Sequence, residues 1–117
     1  MQIIWTDEAL ERLRDIEYYL AVDQQSPAAA RAMINRLINR LPQIQEMPLS
    51  GRQVLDYNDL SIREQLENPY RIIYQIGDDV IYLISILHQR QLLPKVKTMK
   101  ASAQEAIKRI EAEQDSH

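Results

Sequence analysis

Few residues in this 117-residue sequence can do chemistry, and most of them fall in one stretch, residues 61–94. Cysteine is absent and one of the two histidines is the last residue. The chain therefore offers no thiolate and no histidine cluster for a metal, and no cofactor is expected. What remains is three arginines, Arg63, Arg71 and Arg90, and one histidine, His88. An arginine fork grips phosphate or carboxylate, and a histidine moves protons near neutral pH. Each residue also has a plainer role open to it. Arg63 and Arg71 can pair with Glu64 or Glu67, or with a partner protein, and His88 can be a hydrogen-bonded structural residue.

The elements that position these groups are strands. Tyr70–Ile76 and Val80–Leu87 are rich in β-branched and aromatic residues and flank a turn signal at Gly77-Asp78-Asp79. With Ile76 opposite Val80, alternation puts Tyr70, Ile72, Tyr74 and Ile76 on one face with Val80, Tyr82, Ile84, Ile86 and His88. That face is almost wholly apolar and should be covered by helices. The other is mixed and carries Arg71, Ile73, Gln75, Ile81, Leu83, Ser85, Leu87 and Gln89. In this register His88 points away from Arg71, and a bulge would reverse the assignment. Ile73, Ile81, Leu83 and Leu87 beside Arg71 form an apolar patch of the kind that binds a partner.

The rest of the chain supplies the helices. Gln2–Trp5 reads as a short strand, Thr6 as an N-cap, and Asp7 to Val22 as a helix with Leu10, Leu13, Ile16 and Leu20 at helical spacing. Ser26-Pro27 opens a second helix, which either kinks at Pro42 or stops near Arg40 and resumes for one turn. Gly51 is expected to supply positive φ in a tight turn. A third strand runs from about Leu60 to Leu66. After Pro94, Ser102–Gln114 reads as a short helix with a narrow apolar stripe, giving residues 1–94 as a domain and 95–117 as a helical extension. The fold class is α+β: two antiparallel helices on one face of a four-stranded, mainly antiparallel sheet. The edge joined by the first strand is left open.

Charge narrows the partners. Residues 1–94 contain no lysine and carry nine arginines against thirteen acids, a net of −4. Nucleic-acid surfaces need clustered Lys and Arg, so sequence-specific nucleic-acid binding is not expected. The N-terminus lacks the basic and apolar regions of a signal peptide, and no apolar run approaches membrane-spanning length. A cytoplasmic protein is expected.

The β-α-α-β-β-β order resembles the RelE/ParE superfamily of toxins from type II toxin–antitoxin systems. Ile4-Trp5-Thr6 with Ala9 and Leu13, Met47-Pro48 with Gly51-Arg52, Ile62-Arg63-Glu64, Pro69-Tyr70-Arg71-Ile72-Ile73-Tyr74 and Leu87-His88-Gln89-Arg90 carry the likeness over Gln2–Pro94. The last two motifs look more like the ParE branch, which poisons DNA gyrase, than the RelE branch, which cuts mRNA on the ribosome. The resemblance implies a plasmid-stabilisation type of toxin, neutralised by a cognate antitoxin that binds Arg63, Arg71, Ile73, Ile81, Leu83 and Leu87. Its alternatives are a RelE-like endoribonuclease and a non-toxic member that still binds antitoxin. Cutting RNA through the 2′-hydroxyl needs a base, cations for the phosphate and an acid for the leaving oxygen. For that role the resemblance nominates Arg71, Arg90, Arg63 and His88. It places Gln89, which cannot act as an acid, where some relatives carry a terminal histidine. An enzyme is thus the weaker reading.

Overall fold

The computed structural model describes residues 1–54 and 57–91. Its elements are β1 (Gln2–Trp5), α1 (Asp7–Tyr18), α2 (Pro27–Asn39), α3 (Leu41–Glu46), β2 (Arg52–Gln53), β3 (Ile62–Glu67), β4 (Tyr70–Ile76) and β5 (Val80–His88). The strands form one five-stranded sheet in the order β1-β5-β4-β3-β2. All neighbours are antiparallel except β1, which lies parallel to β5. The α+β fold with helices on one face is as expected, with a two-residue fifth strand added and β1 settled on the β5 edge. The expected helix Ser102–Gln114 and the extension 95–117 lie outside the described residues.

Local chemistry explains where the helices start and stop. Thr6 caps α1 by accepting a 3.2 Å hydrogen bond from the Ala9 amide. The same hydroxyl donates to the carbonyls of Leu83, at 2.7 Å, and Ile84, at 3.0 Å. One buried residue thus fixes the helix start to the middle of β5. α1 ends earlier than expected, because Tyr19–Asp23 widen into a π turn. Ser26 caps α2 through the Ala29 amide, with Pro27 in the first turn. At Pro42 the chain stops and resumes: α2 ends at Asn39, and α3 begins at Leu41 with the proline in its first turn.

Two apolar clusters sandwich the sheet. On the helix side, Ala9, Ile16, Met33, Leu37 and Ile44 pack on Tyr70, Ile72, Tyr74, Ile81, Leu83 and Ile86. On the other side, Val54 and Tyr57 pack on Ile62, Ile73, Ile84 and Leu87. The expected faces hold only in part. Ile76 pairs with Ile81 rather than Val80, and the register shifts again between Ile73 and Tyr74, where β5 carries an extra residue. Tyr74 therefore meets Leu83, while Ile72 meets Ile86. Near the turn the face assignment of β5 is reversed, so Ile81 and Leu83 move to the helix side and Tyr82 and Ile84 leave it. Beyond the bulge the expected faces return.

Gly51 also differs from expectation. Its φ is −71°, an ordinary extended value, and no described glycine has positive φ. What requires glycine is space. A Cβ there would overlap Tyr74 Oη and lie 2.9 Å from the Glu64 carbonyl oxygen. The left-handed residue of the β4–β5 turn is Asp79, at φ 58°.

Candidate functional site

Strand pairing decides what the candidate residues can do together. Arg71 pairs with Leu66 and with Leu87, on the face away from the helices. Ile62, Glu64 and Leu66 alternate onto that same face, so a carboxylate lies beside Arg71 in an apolar row. Arg71 Nε and Nη2 reach the same oxygen, Glu64 Oε2, at 2.8 and 2.6 Å. The other oxygen, Glu64 Oε1, accepts from Arg52 Nε at 2.6 Å. Glu64 and Arg71 side chains are only 7% and 13% exposed, whereas Arg52 is 64% exposed. Arg71 is thus held in a buried ion pair, and Arg52 closes it from the solvent side.

Arg63 lies on the opposite face. It pairs with Tyr74, which belongs to the helix-side core. Its guanidinium donates to the carbonyls of Leu60, at 3.0 Å, and Gly51, at 3.3 Å, and reaches neither Glu64 nor Glu67. Glu67 is bound by α2 instead: Arg36 at 2.9 Å and Arg40 at 2.7 Å, with Arg36 also donating to the Asn68 carbonyl. Burial pushes the Glu67 carboxyl up, but hydrogen bonds and charge from Arg40 and Arg36 outweigh it and hold the group below 4.5. Tyr74 Oη donates to the Pro48 carbonyl at 2.5 Å and accepts from the Gly51 amide at 3.2 Å. Burial pushes its hydroxyl above 10.0 against the opposing pull of the Gly51 hydrogen bond and the Arg63 charge.

His88 stands on the helix side, as the alternation predicts, edge-on to Tyr70 with ring centres 5.5 Å apart. Its Nδ1 accepts from the Arg90 amide at 3.1 Å, which gives the ring a turn-closing role. Around it lies a cleft of about 410 Å³ lined by Arg12, Asp15, Tyr19, Leu20, Tyr70 and Ile86 among others. Arg90 follows β5 in an exposed turn. The sheet therefore separates Arg71 from His88 and from Arg63, and the four nuclease candidates do not converge.

The expected antitoxin patch is also divided, and this corrects the reading of it as one exposed surface. Arg71, Ile73 and Leu87 share the face away from the helices, while Arg63, Ile81 and Leu83 are on the helix side. Ile73, Ile81, Leu83 and Leu87 are at most 1% exposed. The physical reason is the bulge in β5 together with the cover that Val54 and Tyr57 supply. Sequence reasoning missed the cluster of Arg52 with Glu64 and that of Arg36 and Arg40 with Glu67. The signal for the first was present, since an ionised residue between Ile62 and Leu66 at core-facing strand positions needs a partner. No helix among the described residues is long and apolar enough to cross a membrane.

Comparison with known proteins adds to this geometry. The model of the ParE toxin of the type II toxin–antitoxin system parDE matches residues 3–93. A curated relative, "Putative toxin Y4kP" of Sinorhizobium fredii, is 31% identical over 97 residues, covering 81% of this chain and 95% of its own. A solved structure described as the chromosomal ParDE toxin–antitoxin system from P. aeruginosa superposes with a TM-score of 0.61 at 19% identity. It covers 75% of this chain and 95% of its own length, and it shows a shared fold.

Proposed function

The chain belongs to the family of ParE toxins of type II toxin–antitoxin systems, and from that premise we propose that it acts by binding a protein target, DNA gyrase, rather than by cutting RNA. The observation that carries this reading is the separation of Arg71 from His88 by the sheet, with Arg71 committed to Glu64. A nuclease needs its acid, base and cations within hydrogen-bond reach of one phosphate. The charge of residues 1–94, net −4 without a lysine, opposes approach to the phosphates of a ribosome. Inhibition by binding requires neither feature. It requires a shaped surface, and protein–protein affinity does not depend on net positive charge.

The proposal includes neutralisation by a cognate protein antitoxin, in the cytoplasm. With the four apolar candidates buried, the charged contact falls to arginines at the β2–β3 edge, where Arg52 is exposed and Arg63 pairs across to Gln53. An acidic amphipathic antitoxin segment fits that edge.

The test is pulse-labelling of DNA, RNA and protein synthesis after induction, backed by two assays on purified protein. Loss of gyrase supercoiling or trapping of cleaved DNA is expected, with mRNA on translating ribosomes left intact. Selective arrest of translation with cut mRNA would overturn the reading. Arg63→Glu is expected to weaken co-purification with antitoxin at least tenfold, and an unchanged complex places the antitoxin elsewhere.

A further inference from the structure

Among the described arginines, Arg36, Arg40, Arg52 and Arg71 hold carboxylates, and Arg63 holds two carbonyls. Arg14, Arg31 and Arg90 are exposed to water. Arg12 fits neither group. It is half-buried on α1, and no described residue takes a hydrogen bond or an ion pair from it. A cation partly withdrawn from water without a counter-charge is a place for an anion from outside the chain. Arg12 lines the cleft of about 410 Å³ beside His88, a volume within the range of roughly 300–1,000 Å³ of small-molecule sites.

The polar groups of this cleft are mostly donors. Helical spacing brings Arg12, Ile16 and Tyr19 onto one stripe of the helix, with Tyr19 standing where the π turn begins. The sheet contributes Tyr70, Ile86 and His88. Tyr70 is 6% exposed, and no described residue accepts from its hydroxyl. Burial, and after it the neighbouring Tyr19, push that hydroxyl above 10.0, so it keeps its proton at neutral pH. His88 Nδ1 accepts from the Arg90 amide, so a neutral ring carries its proton on Nε2. Gln91 spends its Oε1 on the His88 amide at 2.6 Å, which leaves its own amide group to donate. Ile16, Leu20, Pro69 and Ile86 are the apolar lining, and among the described lining residues only Asp15 is acidic.

We propose that this cleft binds a small monocarboxylate with a flat apolar body, its carboxylate on Arg12, Tyr70 and His88 and its body against Leu20 and Ile86. The edge-on rings of Tyr70 and His88 offer the surface that suits a flat body. Asp15, three residues along the helix from Arg12, repels a second negative charge, which disfavours phosphates and dicarboxylates. The cleft lies on the helix side of the sheet, so binding leaves the pair of Arg71 with Glu64 intact.

The probe is phenylpropionate, titrated into the isotope-labelled full-length chain and followed by NMR amide shifts. Saturable shifts centred on Arg12, Tyr70, Ile86 and His88 are expected, with a Kd below about 1 mM. Arg12→Gln is expected to weaken binding at least tenfold, and Arg14→Gln, at an exposed arginine of the same helix, to leave it unchanged. Phenylpropionamide, the neutral isostere, is expected to bind the parent chain at least tenfold more weakly than the acid, a comparison that does not depend on how any variant folds. Inorganic phosphate is expected not to displace the acid. The absence of saturable shifts, shifts centred outside the cleft, or equal effects of the two arginine variants would overturn the proposal. Equal binding of acid and amide refutes the carboxylate contact, and displacement by phosphate reduces the cleft to an unselective anion site.

Discussion

Replacing Gly51 by alanine tests whether the position is held by space or by backbone conformation. The φ of −71° suits alanine, so a purely conformational account expects no loss, and a small gain from a less flexible unfolded chain. The steric account expects the reverse. An added methyl overlaps Tyr74 Oη and stands 2.9 Å from both Tyr74 Cζ and the Glu64 carbonyl. Tyr74 is fully buried and cannot swing away without leaving the Pro48 carbonyl. Overpacking costs about 1–3 kcal/mol, and a lost hydrogen bond about 1 kcal/mol. Together they give a destabilisation of ~2–4 kcal/mol, measurable by urea unfolding followed through Trp5 fluorescence. Tyr74→Phe alone should cost about 1–2 kcal/mol by deleting both contacts of the hydroxyl. The double variant should cost less than the sum by at least ~0.5 kcal/mol, because phenylalanine removes the atom the methyl strikes. Gly51→Ala within about 0.5 kcal/mol of the parent, or strict additivity with Tyr74→Phe, refutes the reasoning.

Thr6→Val keeps the shape and deletes the cap together with the hydrogen bonds to Leu83 and Ile84, and a loss of about 1–2 kcal/mol is expected in the same assay. Glu64→Ala strands the buried Arg71 and should cost roughly 3–5 kcal/mol, while Glu64→Leu with Arg71→Met should return close to the parent. Because the Glu67 carboxyl is held below 4.5, the stability it contributes is full above that pH and is lost as pH falls through the lowered native value. The stability gap between parent and Glu67→Gln should therefore close in acid, and a gap constant from neutral pH to pH 3 would refute the assignment. Leu83→Asp places a charge in the helix-side core, so loss of the cooperative unfolding transition is expected rather than a folded protein defective only in binding.

How much of this was legible in the sequence depended on whether a rule was local. Thr6, Ser26-Pro27 and Pro42 act within a turn of their own positions, and the helix boundaries they implied were close to those observed. The faces of β4 and β5 depend instead on a count that one extra residue upsets. The Gly77-Asp78-Asp79 signal located the turn but not its pairing, and nothing in the run from Val80 to Leu87 distinguishes the bulge position, since every residue there except Ser85 is apolar. That one slip sent Ile81 and Leu83 to the wrong face and joined an antitoxin patch that the sheet divides. Gly51 was misread for a related reason. The residue that excludes a side chain there is Tyr74, twenty-three positions away, and only pairing brings the two together.

The parallel contact of β1 with β5 has a consequence for how the chain is made. Gln2 is synthesised 78 positions ahead of its partner Val80. At roughly 5–20 residues per second, the first strand waits about 4–16 s for the strand it lies against. Until then Ile3 and Trp5, which pack on the helix-side core, have no sheet to rest on, and the Thr6 hydroxyl has no carbonyls of Leu83 and Ile84 to accept its hydrogen bonds. Closing so long a loop is slow and comes late in folding. A nascent chain therefore cannot complete its sheet until β5 has been made. If toxicity needs the finished surface, it can begin only once β5 has been made.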